Sequence, residues 1–161
     1  MLKTIIFIDI ANYTEWCFDK TCDIIMNSVT KYFETIDSLL SNVHKLETVG
    51  DCYVAHTDDA DTAISFALNV LNTLNILHYI FSSYIVQLRI GIHTGEVISK
   101  SNKMYGTTLN IVNRLQTSAD INSIHISNET YKQVTDKLLF RKINVNTHCS
   151  INNFYNFFTY F

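Results

Sequence analysis

The segment His44-Lys45-Leu46-Glu47-Thr48-Val49-Gly50-Asp51-Cys52-Tyr53-Val54-Ala55-His56 reads as two short strands folded back on each other at Gly50-Asp51. The strands run from about His44 to Val49 and from Cys52 to His56, and Gly50 supplies the free φ that a tight hairpin needs. On its N-terminal side, Cys22, Ile25, Met26, Val29, Phe33, Ile36, Leu39 and Leu40 recur at three- and four-residue steps, the stripe of an amphipathic helix over Cys22 to Leu40. Before that helix, Thr4 to Ile10 is an apolar run with a single acid, which predicts a buried strand. On the C-terminal side, Asp58 or Asp59 can cap a second helix from about Asp59 to Leu77. Ala60, Ala63, Ile64, Ala67, Leu68, Leu71 and Leu74 form its buried stripe, and Val86 to Ile98 follows as a long strand.

A hairpin flanked on both sides by helix and strand gives the order β-α-β-β-α-β. This is a split βαβ, ferredoxin-like α+β core, an antiparallel-dominated sheet with helices packed on one face. Thr107 to Ala119 adds a third helix, Ser123 to Ile126 a strand, and Ser127 an N-cap for a short helix through Val134. The tail, rich in Phe, Tyr and Asn, suits one or two closing strands, so an α-β-α-β extension completes a single domain over residues 1–161.

Composition narrows the function. Hydrophobic content of 47% is ample for a core, and a net charge of −3 argues against duplex nucleic acid as a partner. No apolar run reaches the roughly 18 residues of a membrane span, and Met1 to Asp9 lacks a cleavable signal pattern. Cys17, Cys22, Cys52 and Cys149 show neither a C-x-x-C pair nor a disulfide framework, and the six histidines show no metal-ligand spacing. A reduced, cytoplasmic protein that keeps off the membrane is expected.

Asp9 lies at the end of a strand with apolar neighbours, where an unpaired buried carboxylate is costly. Asp51 sits at the hairpin tip. In a split βαβ sheet the first strand runs centrally beside the hairpin, so the two acids can meet at one edge. Two carboxylates there suit Mg²⁺, which takes one or two carboxylates together with phosphate oxygens. Each acid alone also reads as an ordinary end-of-strand or turn acid. Asn110 and Arg114 are four apart on the third helix and share a face. A guanidinium beside an amide can stabilise charge on phosphorus in a displacement, though a polar helix face explains the pair as well.

Four segments together resemble the class III adenylate/guanylate cyclase catalytic domain, in order and across nearly the whole chain. They are Phe7-Ile8-Asp9-Ile10-Ala11-Asn12-Tyr13-Thr14, Lys45 to Asp51, Leu88-Arg89-Ile90-Gly91-Ile92-His93-Thr94-Gly95, and Gly106-Thr107-Thr108-Leu109-Asn110 through Arg114. The resemblance implies that Asp9, Asp51 and the Ile10 carbonyl hold two metal ions, Mg²⁺ or Mn²⁺. It implies that Asn110 positions the ribose of a nucleoside triphosphate, Arg114 stabilises the transition state, and Arg89 contacts the terminal phosphates. Backbone amides over Asn12, Tyr13 and Thr14 would cradle phosphate. In the family the aspartates and the Asn/Arg pair of one site come from different subunits, so a homodimer is implied.

By the same resemblance Glu47 and Lys103 fall on the two base-reading positions. A carboxylate accepts and an ammonium donates, which suits guanine N1–H, N2–H₂ and O6. Uracil N3–H and O4 fit the same pair, whereas adenine offers the reverse pattern. GTP is the expected substrate, with UTP second; a mutual Glu47–Lys103 pair is the alternative. One departure stands out. Ser150 to Phe161 carries no lysine or arginine where many members have a triphosphate-holding lysine, and Lys142 is too early for that motif. That leaves open a non-catalytic cyclase-homology module that binds nucleotide or joins an active partner.

Overall fold

The computed structural model describes residues 1–76, 80–81, 84–101, 103–137, 140–143 and 157–160. Strand β1 (Leu2–Ile10) leads through a short helix α1 (Tyr13–Cys17) to α2 (Cys22–Ser38), the hairpin β2 (His44–Val49) and β3 (Cys52–Thr57), and α3 (Ala60–Ile76). Two-residue strands β4 (Ile80–Phe81) and β5 (Tyr84–Ile85) precede β6 (Leu88–Glu96), which is followed by β7 (Ile98–Lys100) and β8 (Lys103–Tyr105). The chain closes with α4 (Thr107–Ser118), β9 (Ser123–Ser127), α5 (Asn128–Gln133), β10 (Phe140–Ile143) and β11 (Phe157–Tyr160).

Seven strands form one sheet in the order β10-β11-β9-β6-β1-β3-β2. All its pairings are antiparallel except β6 with β9. β1 therefore lies centrally between β3 and β6, as the split βαβ reading requires. Gly50, at φ 62°, makes the β2–β3 turn. Asp59 Oδ2 accepts from Thr62 N at 2.7 Å to cap α3, and Ser127 Oγ accepts from Thr130 N at 3.2 Å to cap α5. The aromatic tail does supply two strands, β10 and β11, whereas residues 144–156 lie outside the described residues.

The side chains of β1 alternate between two cores. Ile6, Ile8 and Ile10 pack with Tyr32 and Ile36 of α2, with α3, and with Ile90 and Ile92 of β6. Ile5 and Phe7 pack instead with Val54 and with Val112 and Leu109 of α4. The expectation that the helices share one face thus holds for α2 and α3 and fails for α4. The period-2 alternation of an unbroken apolar strand buried on both faces hides this in sequence. Each fully buried isoleucine contributes about 1.5–3 kcal/mol, enough to fix β1 while a charged residue sits near its end.

Two further expectations are corrected. The long strand read over Val86 to Ile98 is two strands: β6 stops at Glu96, where the Glu96 carbonyl is taken by Thr108 Oγ1 at 2.6 Å, and the chain then folds into the β7–β8 hairpin. The α2 stripe is buried only in its second half. Cys22 and Met26 are exposed, Ile25 and Val29 half-buried, and Tyr32 rather than a stripe residue joins Ile36 in the core. The C-terminal half is anchored by Asp37, which accepts from Tyr53 Oη at 2.6 Å and pairs with Lys45 at 2.8 Å.

Candidate active site

Because Ile8 stands opposite Tyr53 in the β1–β3 ladder, the end of β1 comes level with the start of β3 and the hairpin tip. The Ile10 amide donates to Asp51 Oδ2 at 3.2 Å. Asp9 points to the α4 side of the sheet, like Ile5 and Phe7, and accepts from Gln116 Nε2 on Oδ2 at 2.9 Å. Its other neighbours are Asp51, close enough to share a proton with it, and Arg89, its cross-strand partner on β6. Asp9, Ile10, Asp51 and Arg89 are therefore brought together at one sheet edge.

Burial, then the Asp51 charge beside it, pushes Asp9 up to about 7, and Gln116 and Arg89 only partly offset this. Burial also raises Asp51, against the lowering effect of the Ile10 amide. Its own burial, and then the same two carboxylates, push the Cys52 thiol up to about 12. A pair of half-buried acids this close retains a proton near neutral pH that a divalent cation can displace. Among the described residues no three His, Cys, Asp or Glu side chains converge anywhere. The available side-chain donors are two carboxylates, a hard-oxygen set that fits Mg²⁺ or Mn²⁺ with phosphate oxygens completing the shell.

Two guanidinium groups have unmet donors. Arg89 Nε and Arg114 Nη1 are buried with no hydrogen-bond partner among the described residues, a state that an anionic ligand would relieve. Asn110 is exposed and Arg114 half-buried on α4. Gln116, two residues beyond Arg114, is turned about 200° away on the helix and buried toward Asp9. Asn110 and Arg114 are thereby directed away from the chain's own Asp9. Glu47 and Lys103 are both exposed, and no ion pair joins them among the described residues. Glu47 follows a register shift in β2 after Lys45. Asn12 takes the left-handed conformation, φ 59°, and starts α1, which leaves the first-turn amides of Tyr13 and Thr14 without helical acceptors. Tyr13 stacks on Trp16 with ring centroids 5.9 Å apart. The side chain of Lys142 lies outside the described residues.

Sequence reasoning missed Gln116. Its signal was a lone amide on the apolar side of the third helix, which gains meaning only once that helix is known to cross the sheet over the end of β1.

Comparison with known proteins gives the family. The family model described as the adenylate and guanylate cyclase catalytic domain matches residues 3–153. The chain belongs to this family. Cyclases of the family are lyases, and the four motif segments all fall within the matched range. The chain is 34% identical over 149 residues, 80% of its length, to guanylate cyclase 32E of Drosophila melanogaster. It is 28% identical over 150 residues, 83% of its length, to the human guanylate cyclase soluble subunit beta-2. It spans only 13% and 24% of the lengths of these two relatives. In fold it is similar to the catalytic core of a rhodopsin-guanylyl cyclase with converted specificity solved with ATPαS, with a TM-score of 0.87 at 24% identity, covering 99% of this chain and 93% of that one. Among the described residues no helix is long and apolar enough to cross a membrane.

Proposed function

We propose that the chain is a nucleotide cyclase that converts a nucleoside triphosphate, GTP first and UTP second, into a 3′,5′-cyclic monophosphate and pyrophosphate. The observation that carries this reading is the convergence of Asp9 and Asp51 at the end of β1, with Arg89 across from Asp9. In this reading Asp9, Asp51 and the Ile10 carbonyl hold two divalent ions, Mg²⁺ or Mn²⁺. Bound there, the ions would lower the pKa of the ribose 3′-hydroxyl and neutralise triphosphate charge. Arg89 and the amides over Asn12 to Thr14 hold the terminal phosphates, and Asn110 fixes the ribose. The 3′-oxygen forms its bond to the α-phosphorus while the bond to the β-phosphate oxygen breaks, and the hydroxyl proton leaves to water. Arg114 donates to the charge that builds on the α-phosphoryl oxygens.

Since Asn110 and Arg114 face away from the chain's own Asp9, this reading needs a second copy to complete each site. Exposed Val49 beside Asp51, Tyr105 beside α4, and Phe18 and Met26 near α1 and α2 support an apolar surface for that copy. The base preference rests on Glu47 and Lys103, and the guanylate cyclase relatives agree with guanine. A cytoplasmic location is consistent with the reduced cysteines Cys17, Cys22 and Cys52.

A second reading, a non-catalytic cyclase-homology module, is favoured by the absence of lysine and arginine from Ser150 to Phe161. Purified protein incubated with Mn²⁺ and ATP, GTP, CTP or UTP separately, with products resolved by mass spectrometry, decides between the two. A cyclic monophosphate that disappears in Asp9→Ala supports the cyclase. No product from a protein shown to be dimeric supports the module.

A further inference from the structure

Gln116 lies on the buried side of α4, only 5% exposed, and its Nε2 is 2.9 Å from Asp9 Oδ2. A long polar side chain buried between a helix and a sheet needs a reason to be there. The backbone supplies the means. Gly91 on β6 has no Cβ, and one added there would come within 2.4 Å of the Gln116 amide nitrogen, 2.6 Å of the Val112 carbonyl and 2.9 Å of Gln116 Cα. The helix therefore rests directly on β6 at this point. Phe7 is the cross-strand partner of Gly91, and Asp9 lies two residues further along the same face of β1. From that seat the Gln116 side chain reaches past β6 to the acid on the neighbouring strand. The Thr117 hydroxyl, 3.4 Å from Gln116 Oε1, occupies the other end of the amide.

The two acids are thus held from different elements: Asp51 Oδ2 by the Ile10 amide of β1, and Asp9 Oδ2 by α4. Without the Gln116 contact, the Asp9 side chain would be free to turn toward the Arg89 guanidinium opposite it or to solvent.

We propose that Gln116 is a positioning residue for the candidate metal site, donating to one carboxylate oxygen of Asp9 so that its remaining lone pairs stay aimed at a divalent cation shared with Asp51. This rests on the cyclase reading of Asp9 and Asp51 and deepens it. Outer partners that orient ligating carboxylates commonly govern metal affinity by about 10–100-fold when removed. Gln116 touches neither nucleotide nor cation, so its loss acts on metal affinity and leaves base recognition by Glu47 alone.

The test uses the full chain and Mn²⁺ alone, with free Mn²⁺ measured by electron paramagnetic resonance. Gln116→Met keeps the volume and removes the donor; Gln116→Glu keeps the shape and adds a like charge beside Asp9. The expected result is Mn²⁺ affinity weakened about ten-fold or more in Gln116→Met, whereas in Gln116→Glu the added carboxylate attracts the cation and offsets part of the loss. Thermal melting without metal should show both variants folded. In an Asp9→Asn background, Gln116→Met should cause no additional loss, because the charged carboxylate whose free oxygen it aims at the cation is already gone. In turnover, the Mn²⁺ concentration for half-maximal rate should rise while the nucleotide KM at saturating Mn²⁺ stays unchanged. Wild-type Mn²⁺ affinity in a folded Gln116→Met, or an equal loss in the Asp9→Asn background, overturns the proposal and leaves the cyclase reading standing. A wild-type chain that neither binds Mn²⁺ nor turns over any triphosphate overturns both.

Discussion

The Ile10 amide donates to Asp51 Oδ2 at 3.2 Å, so the strand that carries Asp9 also fixes the acid that faces it. The contact sets two carboxylates side by side where a low-dielectric sheet edge strengthens the repulsion between their charged forms, so the pair retains a proton near neutral pH. The fold tolerates it because β1 is held by Ile5, Ile6 and Ile8, all fully buried.

Removing one carboxylate while keeping its shape isolates this arrangement. Asp51→Asn retains an oxygen to accept from Ile10 and removes one of the two charges. Turnover should fall by roughly 10²–10³, the scale associated with losing one electrostatic stabiliser of a transition state. Melting of the metal-free variant should be unchanged or improved, since like-charge repulsion is relieved. A steady-state assay beside a thermal melt reads both quantities.

The metal-free protein should show an unusual pH trend. Asp9 titrates near 3.8 in the unfolded chain and near 7 in the folded one. The native state therefore binds the extra proton between these values, so its contribution to stability is complete below about 3.8 and is lost as pH rises through about 7. Because a cation must displace that proton, Mn²⁺ should raise the melting temperature more at pH 8 than at pH 6. Thermal melts at both pH values, with and without Mn²⁺, check the sign. Asp9→Asn should flatten the difference.

The fold core was legible because its signals are local. The hairpin at Gly50-Asp51, the Asp59 and Ser127 caps and the helical stripe of α3 each depend on a few adjacent residues. What escaped depends on contacts distant in sequence. The face chosen by α4 is settled by Gly91 offering it a seat. The first half of α2 keeps an amphipathic pattern, yet Cys22 and Met26 stay exposed and only its second half reaches the core. In the site, Asp9, Asp51 and Arg89 were legible as motif residues, whereas Gln116 joins them only through a contact spanning 107 positions.

That seat is itself testable. Gly91→Ala puts a Cβ against helix backbone at 2.4 Å, which no side-chain rotation can relieve. Overpacking of this kind costs about 1–3 kcal/mol, read as a lower urea midpoint with an unchanged slope. Because α4 carries both Gln116 and the Asn110/Arg114 pair, activity should fall in parallel even at temperatures where the variant is fully folded.

In the proposed reading, base choice rests on Glu47, the exposed acid on the bulged strand. Glu47 has no ion-pair partner among the described residues, so its acceptor oxygens are available to a base. Glu47→Ala should reduce the GTP-over-ATP ratio of kcat/KM by about 100-fold, mainly by weakening GTP use, since a base donor is left unpaired. Competition between the two triphosphates in one reaction, resolved by mass spectrometry, measures the ratio directly.

His93 offers a structural prediction away from the site. It is buried on β6, with Nδ1 2.7 Å from Ser127 Oγ and Glu129 Oε2 at 4.0 Å. Burial holds the ring down to about 4 despite the nearby carboxylate. Between about 6.5 and 4 the unfolded chain takes up a proton that the native ring refuses, so stability present above 6.5 is lost as pH falls through that window. Asp9 contributes the opposite sign over much of the same range, so the two must be separated. Urea midpoints for Asp9→Asn and for the Asp9→Asn/His93→Gln double variant, taken from pH 7 to 4.5, do so. The double variant should start less stable at pH 7, having lost the ring's packing and its bond to Ser127, and should lose less on acidification. Parallel curves would show that the ring accepts its proton inside the fold and that the Glu129 carboxylate offsets its burial.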